Sequence, residues 1–312
     1  METTIYVDHV TIYHLNNMET KRAVVTGGAG FIGHHLVHKL LDQGWFVTVL
    51  DDFSTGELEN LKPNEKMNIH VVDIATDELP KIEFDQLFHL AAPVSVPESL
   101  EDPMKYWNGI SVASRRVMEW AYEMGATSMC AASTAAVYGD STDMPLKESH
   151  RPEPMSPYAE FKLEMEWMMK GYNRPEFKCS ALRFFNVFGE GQRSTGGYRS
   201  AVPIFLEQYQ SYQPITVTGD GTQTRDWIYV GDIVNAILEM AKADYQQEMP
   251  IYNVGSGSET QVIEVAEAFG GEHIHIAKRD EPMRSVADIS LITQNLNWKP
   301  ETNLLSWIKD IK

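Results

Sequence analysis

Cysteine, basic residues and long apolar runs are scarce in this sequence. Cys130 and Cys179 are the only cysteines among 312 residues, and both lie in apolar, strand-like segments. This argues against a disulfide framework and favours a reducing compartment such as the cytoplasm. No segment approaches the ~18 consecutive apolar residues that cross a bilayer. Lys and Arg number 26 against 44 Asp and Glu, and the formal charge of -18 opposes general attraction to nucleic acid or to an anionic membrane. The sequence therefore predicts a soluble protein that binds neither nucleic acid nor membrane.

Length and composition indicate one large folded domain or two packed ones. The 312 residues exceed the ~150 that are typical of one domain. Hydrophobic residues make up 43% and charged residues 22%, which is the balance of a globular protein. Residues 1–17 lack the basic start, apolar centre and cleavage site of a secretory signal, which argues against an export signal. They precede the first predicted strand, and we interpret them as an N-terminal extension.

Strand-like and helical segments alternate from Lys21 onward. The run A-V-V-T-G-G predicts a buried strand, F-I-G-H-H-L-V-H-K-L-L-D-Q-G predicts a helix, and W-F-V-T-V-L-D-D predicts a second strand. Four further apolar runs follow: N-I-H-V-V-D, Q-L-F-H-L-A-A, T-S-M-C-A-A-S and K-C-S-A-L-R-F-F-N. Helices are expected over 103–124 and 157–171. The alternation predicts an α/β fold, a Rossmann-type doubly wound parallel sheet with helices on both faces.

A glycine-rich loop joins the first strand to the first helix. Gly27, Gly30 and Gly33 lie in T-G-G-A-G-F-I-G, where glycines allow a pyrophosphate to approach the free N–H groups of the helix. Asp51 ends the next strand 18 residues beyond Gly33, near the ~20-residue offset of the acidic residue that receives a ribose 2′-hydroxyl. The loop residues Phe31 and Ile32 join this predicted site. We expect NAD rather than NADP, because a carboxylate repels a 2′-phosphate. The alternative is that Asp51 is a simple strand-end cap.

The pattern becomes irregular after Asn186, with more Gly, Pro and Tyr. Helices are predicted near 200–210, 230–243, 260–269 and 287–296. We expect an NAD-binding domain over 18–186 with a return segment over 226–258, and a smaller C-terminal α/β lobe formed by 187–225 and 259–312, which binds the substrate.

Several ordered motifs together resemble the extended short-chain dehydrogenase/reductases and, among them, the nucleotide-sugar epimerases. These motifs are V-T-G-G-A-G-F-I-G, H-L-A-A at 89–92, S-T-A-A-V-Y-G at 133–139, Tyr158-x-x-x-Lys162, R-F-F-N at 183–186, G-D-G-T-Q-T-R-D at 219–226, Y-N-V-G at 252–255 and R-S-V-A-D-I-S at 284–290. The resemblance implies that Asp73 and Ile74 flank the adenine, that Ala91 and Ala92 line the cofactor channel, and that Phe185 lies near the nicotinamide.

The catalytic group predicted from these motifs is Thr134, Tyr158 and Lys162. Tyr158 and Lys162 are four residues apart in a helical segment and share a face. A free Tyr has a pKa of about 10, but a neighbouring cation and an oxidised nicotinamide stabilise its phenolate. Tyr158 would then remove a sugar hydroxyl proton while hydride leaves the carbon. By resemblance, Thr134 hydrogen-bonds the same sugar oxygen.

Two alanines reduce the number of reactions that the site could catalyse. Related 4,6-dehydratases usually carry Asp-Glu after this Thr, whereas here Ala135 and Ala136 follow it. Alanine exchanges no proton, so dehydration is disfavoured, as is the related decarboxylation that needs Glu in the second place. We expect epimerisation of a nucleotide-activated hexose, most simply UDP-glucose or UDP-N-acetylglucosamine at C4. Two alternatives remain open: a net dehydrogenase or reductase of a nucleotide sugar, and a regulatory protein that binds NAD without chemistry.

A nucleoside diphosphate needs placed cations in so acidic a protein. By resemblance Arg225 binds the diphosphate, Asn186 bonds a phosphate or sugar oxygen, and the segment from Tyr198 to Val202 offers backbone donors to the base. Ser95 borders the sugar. Arg225 beside Asp226 alternatively forms a surface ion pair. The second phosphate cation is left open among Lys278, Arg279 and Arg284.

A specificity gate is expected at Ser285. By resemblance, a bulky Tyr at this place excludes N-acetylhexosamines and a small residue admits them. The alternative is that Ser285 caps the 287–296 helix.

Apolar side chains on second helix faces predict a homodimer. Leu163 and Trp167 project away from the Tyr158 face, and Trp107, Met118 and Tyr122 project from the 103–124 helix in the same manner. By resemblance these helices form a four-helix seam. No metal site is predicted, and His34 with His38 is interpreted as solvated helix surface.

Overall fold

A seven-stranded parallel sheet is the centre of the fold. The computed structural model describes residues 21–194, 200–245, 248–278 and 281–312. The strands are β1 (Arg22–Thr26), β2 (Phe46–Asp51), β3 (Met67–Val71), β4 (Gln86–His89), β5 (Ser128–Thr134), β6 (Lys178–Phe184), β7 (Asn186–Phe188), β8 (Ile215–Thr218), β9 (Thr224–Arg225), β10 (Trp227–Tyr229), β11 (Ile251–Val254), β12 (Thr260–Gln261) and β13 (His273–Ile276). The central sheet has the order β11-β6-β5-β4-β1-β2-β3. Its strands run parallel, so their carboxyl ends meet at one edge.

Helices cover both faces of this sheet. The α-helices of the described residues are α1 (Phe31–Asp42), α2 (Val96–Glu101), α3 (Pro103–Tyr106), α4 (Ala113–Glu123), α5 (Pro157–Tyr172), α6 (Ala201–Gln210), α7 (Val230–Lys242), α8 (Val262–Phe269), α9 (Ser290–Leu296) and α10 (Leu304–Asp310). One core cluster joins α1 and α7 to the sheet, and a second joins α4 and α5 to it. Strands β1, β2 and β5 are largely buried, which is why they read as continuous apolar runs. The edge strand β3 is only partly buried. The Rossmann-type fold is thereby confirmed.

A separate apolar cluster holds the C-terminal lobe together. It contains Phe205 of α6, Phe269 of α8 and Trp307 of α10, together with strands β8 and β10. Three two-stranded sheets, β7 with β10, β9 with β12 and β8 with β13, cross-link the chain after residue 186. The segment 251–254 returns to the central sheet as β11 beside β6.

Two helix predictions need correction. The predicted helix over 287–296 begins only at Ser290, because Ala287 forms a β-bridge with Leu146. The predicted helix over 103–124 consists of α3, a π-helical turn over Trp107–Val112, and α4. Within the described ranges, no helix combines the length and the apolar character that a membrane crossing requires.

Two side chains that were expected to project outward belong to the core. Leu163 and Met118 are 4% and 0% exposed, so neither contributes to a surface seam. Trp107, Tyr122 and Trp167 are 39%, 39% and 61% exposed. Helical periodicity marks a second apolar stripe but does not say whether the fold covers it.

Candidate active site

The predicted cofactor residues and the predicted catalytic residue Thr134 lie at one edge of the sheet. Each is at the carboxyl end of a strand or shortly after it, which is where open α/β sheets bind ligands. They are Gly27 after β1, Asp51 at the end of β2, Asp73 and Ile74 after β3, Ala91 and Ala92 after β4, Thr134 at the end of β5, and Phe185 after β6.

The glycine-rich loop is packed so closely that side chains would not fit. Gly27 has φ +69°, and a Cβ there would lie 2.7 Å from the backbone nitrogen of Ala91. A Cβ at Gly33 would overlap the carbonyl oxygen of Gly27. Gly30 occupies the N-cap of α1, where it brings no side chain to the first helical N–H groups of Phe31 and Ile32. The loop therefore presents backbone donors in a cradle suited to the pyrophosphate of a dinucleotide.

Asp51 braces this loop. Its buried carboxylate accepts hydrogen bonds of 2.9 Å from the backbone N–H of Ala29 and of 2.9 Å from that of Phe53. Burial raises the pKa of Asp51, and the two backbone bonds oppose that shift. Asp51 thus acts as the strand-end cap that was considered for it, at the place where a ribose hydroxyl is expected. The Asp73 carboxylate similarly accepts from Ala75 N–H at 2.8 Å.

Tyr158 and Lys162 enter the same edge from α5. Ser156 caps this helix, and its side chain accepts a hydrogen bond from the N–H of Ala159. Tyr158 is 9% exposed, and its ring meets the buried Tyr106 ring edge to face at 6.3 Å between centroids. Lys162 donates a hydrogen bond of 2.8 Å to the carbonyl oxygen of Ala132 on β5. Burial lowers the pKa of Lys162 to about 8, against the opposing charge of Glu166.

Thr134 ends β5 in an extended conformation. Its hydroxyl oxygen accepts a hydrogen bond of 3.1 Å from the N–H of Ala136, so it caps the 3₁₀ turn Ala135–Tyr138. The hydroxyl hydrogen is not used by that bond and remains able to donate to a ligand oxygen.

A buried histidine that was not among the predicted site residues, His89, also lies at this edge. His89 lies between the Thr26 hydroxyl at 2.8 Å and the Ser114 hydroxyl at 2.9 Å. Burial and the nearby Lys162 cation lower the pKa of His89 to about 3. A neutral imidazole here spares Lys162 a second neighbouring positive charge. His89 is the first residue of the H-L-A-A motif and ends β4. Its position at a strand end could therefore have identified it in the sequence as a site residue.

Arg225 is placed differently from the surface pair that was considered. Its guanidinium pairs with Glu281 at 2.8 Å and donates to the Thr224 carbonyl at 2.8 Å, and its side chain is 11% exposed. Asp226 is fully buried and accepts hydrogen bonds from the N–H groups of Ser256, Gly257 and Ala287. The alternative prediction of an Arg225–Asp226 ion pair is therefore wrong, because the Asp226 carboxylate accepts its hydrogen bonds from backbone N–H groups.

The other predicted substrate residues have varied surroundings. The Asn186 amide donates to the carbonyl of Asp226 at 3.1 Å. The Ser95 hydroxyl caps α2 by accepting from Glu98 N–H at 3.2 Å, and the Val202 side chain lies in the lobe core. Arg284 forms an exposed ion pair with Glu259 at 2.7 Å, Lys278 is exposed, and Ser285 is half-buried. Tyr198, Arg279 and the extension over 1–17 lie outside the described residues.

The three histidines of α1 are half-buried, so the pair His34 and His38, interpreted as solvated helix surface, is only partly in contact with solvent. A ring nitrogen of each lies within hydrogen-bond distance of a backbone carbonyl: His34 at 2.9 Å from Gly30, His35 at 2.9 Å from Glu190, and His38 at 2.8 Å from Asn60. Among the side chains that the structure describes, no three His, Cys, Asp or Glu residues are grouped as metal ligands would be.

Comparison with known proteins reveals extensive similarity. Residues 23–255 match the NAD-dependent epimerase/dehydratase family. A putative UDP-glucose 4-epimerase from Methanocaldococcus jannaschii is 36% identical over 302 residues, covering 92% of this chain and 96% of that protein. UDP-glucuronic acid decarboxylase 1 from Xenopus tropicalis is 30% identical, covering 96% of this chain and 73% of that protein.

Solved structures of epimerases are also similar to this chain. UDP-N-acetylglucosamine 4-epimerase from Methanobrevibacter ruminantium, in complex with UDP-N-acetylmuramic acid, superposes with a TM-score of 0.86 and 32% sequence identity. The match covers 95% of this chain and 100% of that chain.

Proposed function

Since the chain belongs to the NAD-dependent epimerase/dehydratase family and uses NAD as its cofactor, we propose that it epimerises a UDP-activated hexose at C4. The tight glycine cradle and the Asp51 carboxylate at the end of β2 suit the pyrophosphate and ribose of that cofactor. When bound by the glycine loop and Asp51, NAD would supply a hydride acceptor for the sugar carbon and a hydride donor for its opposite face. Side chains of the protein remove and return the proton of the sugar hydroxyl.

In this proposal Tyr158 removes the proton from the sugar hydroxyl and later returns it. The Lys162 ammonium, one helical turn away, stabilises the Tyr158 phenolate. Thr134 donates its free hydroxyl hydrogen to the same sugar oxygen, which holds that oxygen in place during proton transfer. The low exposure of Tyr158 and Lys162 keeps bulk water from competing for this proton.

The choice of epimerisation rests on the two alanines, Ala135 and Ala136, that follow Thr134. Ala136 packs against the cluster of Tyr106, Ile110 and Tyr158, so a methyl group stands beside the proposed base. An enzyme that removes water or carbon dioxide from the keto sugar needs a proton-transfer group here, and neither Ala135 nor Ala136 supplies one. This supports epimerisation even though decarboxylases are among the relatives.

We assign the substrate diphosphate to Arg225. Glu281 and the Thr224 carbonyl orient its guanidinium, whose side chain is largely buried beside the β9–β12 ladder. Asn186 on β7 donates a hydrogen bond to the carbonyl oxygen of Asp226, the residue that follows Arg225. We also propose a homodimer through the exposed Trp107, Tyr122 and Trp167.

The test is product analysis with the purified full chain. UDP-glucose, UDP-N-acetylglucosamine and UDP-glucuronic acid are incubated separately with NAD and followed by proton NMR. We expect signals of the C4 epimer of at least one hexose. A UDP-pentose formed from UDP-glucuronic acid, without any epimer, would instead identify a decarboxylase.

A further inference from the structure

A fully buried ion pair lies directly behind the catalytic group. The Arg183 guanidinium on β6 donates two hydrogen bonds to the Glu166 carboxylate on α5, of 2.9 Å from Nε and 2.7 Å from Nη2. The Arg183 and Glu166 side chains are 4% and 1% exposed. The bidentate geometry fixes both side chains at once.

This pair ties together segments that are remote in the sequence. The Ser133 hydroxyl donates to Glu166 at 2.6 Å. Arg183 also donates to the Tyr138 hydroxyl at 2.8 Å, and Tyr138 in turn donates to the Asn253 side chain at 2.7 Å. The network therefore joins α5 to the end of β5, to the 3₁₀ turn after Thr134, and to β11.

The network reaches the catalytic residues through two adjacent links. Tyr158, Lys162 and Glu166 follow one another at intervals of four along α5, so they lie on one face. Lys162 bonds Ala132 and Glu166 bonds Ser133, which are the two residues before Thr134. The strand end that carries Thr134 is thus fastened to the helix that carries Tyr158.

Stability alone is a weak reason for such a pair. Replacing a buried ion pair by well-packed apolar residues is often neutral or stabilising, whereas removing one partner is costly. We propose that Glu166 and Arg183 are positioning residues, which fix Thr134 relative to Tyr158 and place a negative charge one helical turn from the Lys162 ammonium. This proposal rests on the proposed function.

The charge environment of Lys162 supports this assignment. Tyr158 and Glu166 approach from its own helix and His89 from β4, while Tyr106 of α3 and Glu98 of α2 lie behind Tyr158. Arg183 and Tyr138 lie behind Glu166. With His89 neutral, the Glu166 carboxylate offsets the burial that lowers the pKa of Lys162 to about 8.

The test compares three variants of the full chain. Glu166→Gln keeps the shape but removes the charge, and Ser133→Ala keeps the ion pair but cuts its link to β5. The control is Asp232→Asn, which changes another buried carboxylate, on α7, that accepts a hydrogen bond from Thr302 N–H. Melting temperature, kcat, KM and the protonation midpoint of Lys162 are measured for each. The midpoint comes from NMR of labelled lysine side chains, with Lys162→Met for assignment.

We expect Glu166→Gln to lower kcat about 100-fold with little change in KM, because a small misplacement of reacting groups has that cost. The Lys162 midpoint should fall by about one pH unit, because a neighbouring negative charge is lost. Ser133→Ala should retain the fold and the midpoint and still lower kcat. Asp232→Asn should lower the melting temperature only.

The proposal is overturned if Ser133→Ala keeps full kcat and Glu166→Gln leaves the Lys162 midpoint unchanged. If Glu166→Gln does not fold, Ser133→Ala decides by its kcat. The Lys162 titration needs no turnover, so it tests the placement of charge even if the unmodified chain is inactive on every nucleotide sugar, a result that would contradict the proposed function instead.

Discussion

The Lys162 ammonium donates a hydrogen bond of 2.8 Å to the carbonyl oxygen of Ala132, two residues before Thr134. The contact holds the cation in a buried position, and burial lowers the pKa of Lys162 to about 8. The proposed mechanism needs the protonated form, which is present below this pKa and is lost above it.

Turnover should therefore decline as the pH rises through about 8. The measurement is kcat between about pH 6 and about pH 10, the range in which a base of this pKa titrates. Lys162→Met serves as the control, because it should be nearly inactive and lack this alkaline limb. A kcat that stays constant to the upper end of the range would show that the Lys162 charge is not needed.

Tyr158→Phe should reduce epimerisation by roughly 10²- to 10⁴-fold, because only the oxygen that transfers the proton is removed. NAD affinity, measured by calorimetry, should change little. Tyr172→Phe is the matched control on the same helix, since its hydroxyl donates to Glu119 away from the sheet edge. Near-normal turnover by Tyr158→Phe would exclude it as the base.

Ser285→Tyr should shift substrate preference away from UDP-N-acetylglucosamine. Ser285 does not cap α9, whose N-cap is Ile289, so the capping explanation is wrong. A phenol ring in a packed pocket costs ~1–3 kcal/mol, which changes the ratio of kcat/KM values about ten- to a hundredfold. Ser290→Tyr, at an exposed position of α9, is the control. An unchanged ratio in Ser285→Tyr would remove it as the gate.

Trp167→Glu combined with Trp107→Glu should convert a dimer to a monomer. Both rings are exposed, and a carboxylate in an apolar seam is unfavourable because it loses its hydration. Light scattering at micromolar concentration gives the mass. Tyr212→Glu, at a side chain that is 96% exposed in the lobe, should leave the mass unchanged. Monomer mass for the unmodified chain would contradict the dimer.

Acid should destabilise the protein through His89. Its pKa is about 3 in the fold and 6.5 as an ordinary side chain, so stability from the neutral ring is full above pH 6.5 and falls as the pH drops toward 3. Each pH unit in that window costs about 1.4 kcal/mol. The melting temperature of His89→Gln should depend less on pH over this window than that of the unmodified chain. Equal dependence would show that His89 is not the group responsible.

The sheet was predictable because each central strand is a short apolar run, and the glycine loop was predictable because its spacing carries a physical requirement. Contacts between segments that are remote in the sequence could not be predicted. Ser133, Arg183 and Asn253 belong to the motifs quoted above, but the motifs do not show that these residues are linked. Ser133 bonds Glu166, 33 residues away, and Asn253 bonds Tyr138, 115 residues away, which also accepts from Arg183. These contacts depend on strand order and register. Leu163 and Met118 show the same limit, because neighbouring elements cover them. For Arg225, the alternative of an ion pair with the adjacent Asp226 is wrong, since the acidic partner is the remote Glu281.

Isotope tracing with UDP-glucose deuterated at C4 tests whether the chain epimerises the sugar by removing and returning one hydride. With the purified chain and NAD, we expect that the C4 epimer forms, retains its deuterium at C4, and leaves no lasting NADH absorbance, because the same hydride is removed and returned at one carbon. If neither UDP-glucose nor UDP-N-acetylglucosamine labelled in this way is converted, or if NADH accumulates as substrate is consumed, C4 epimerisation is contradicted.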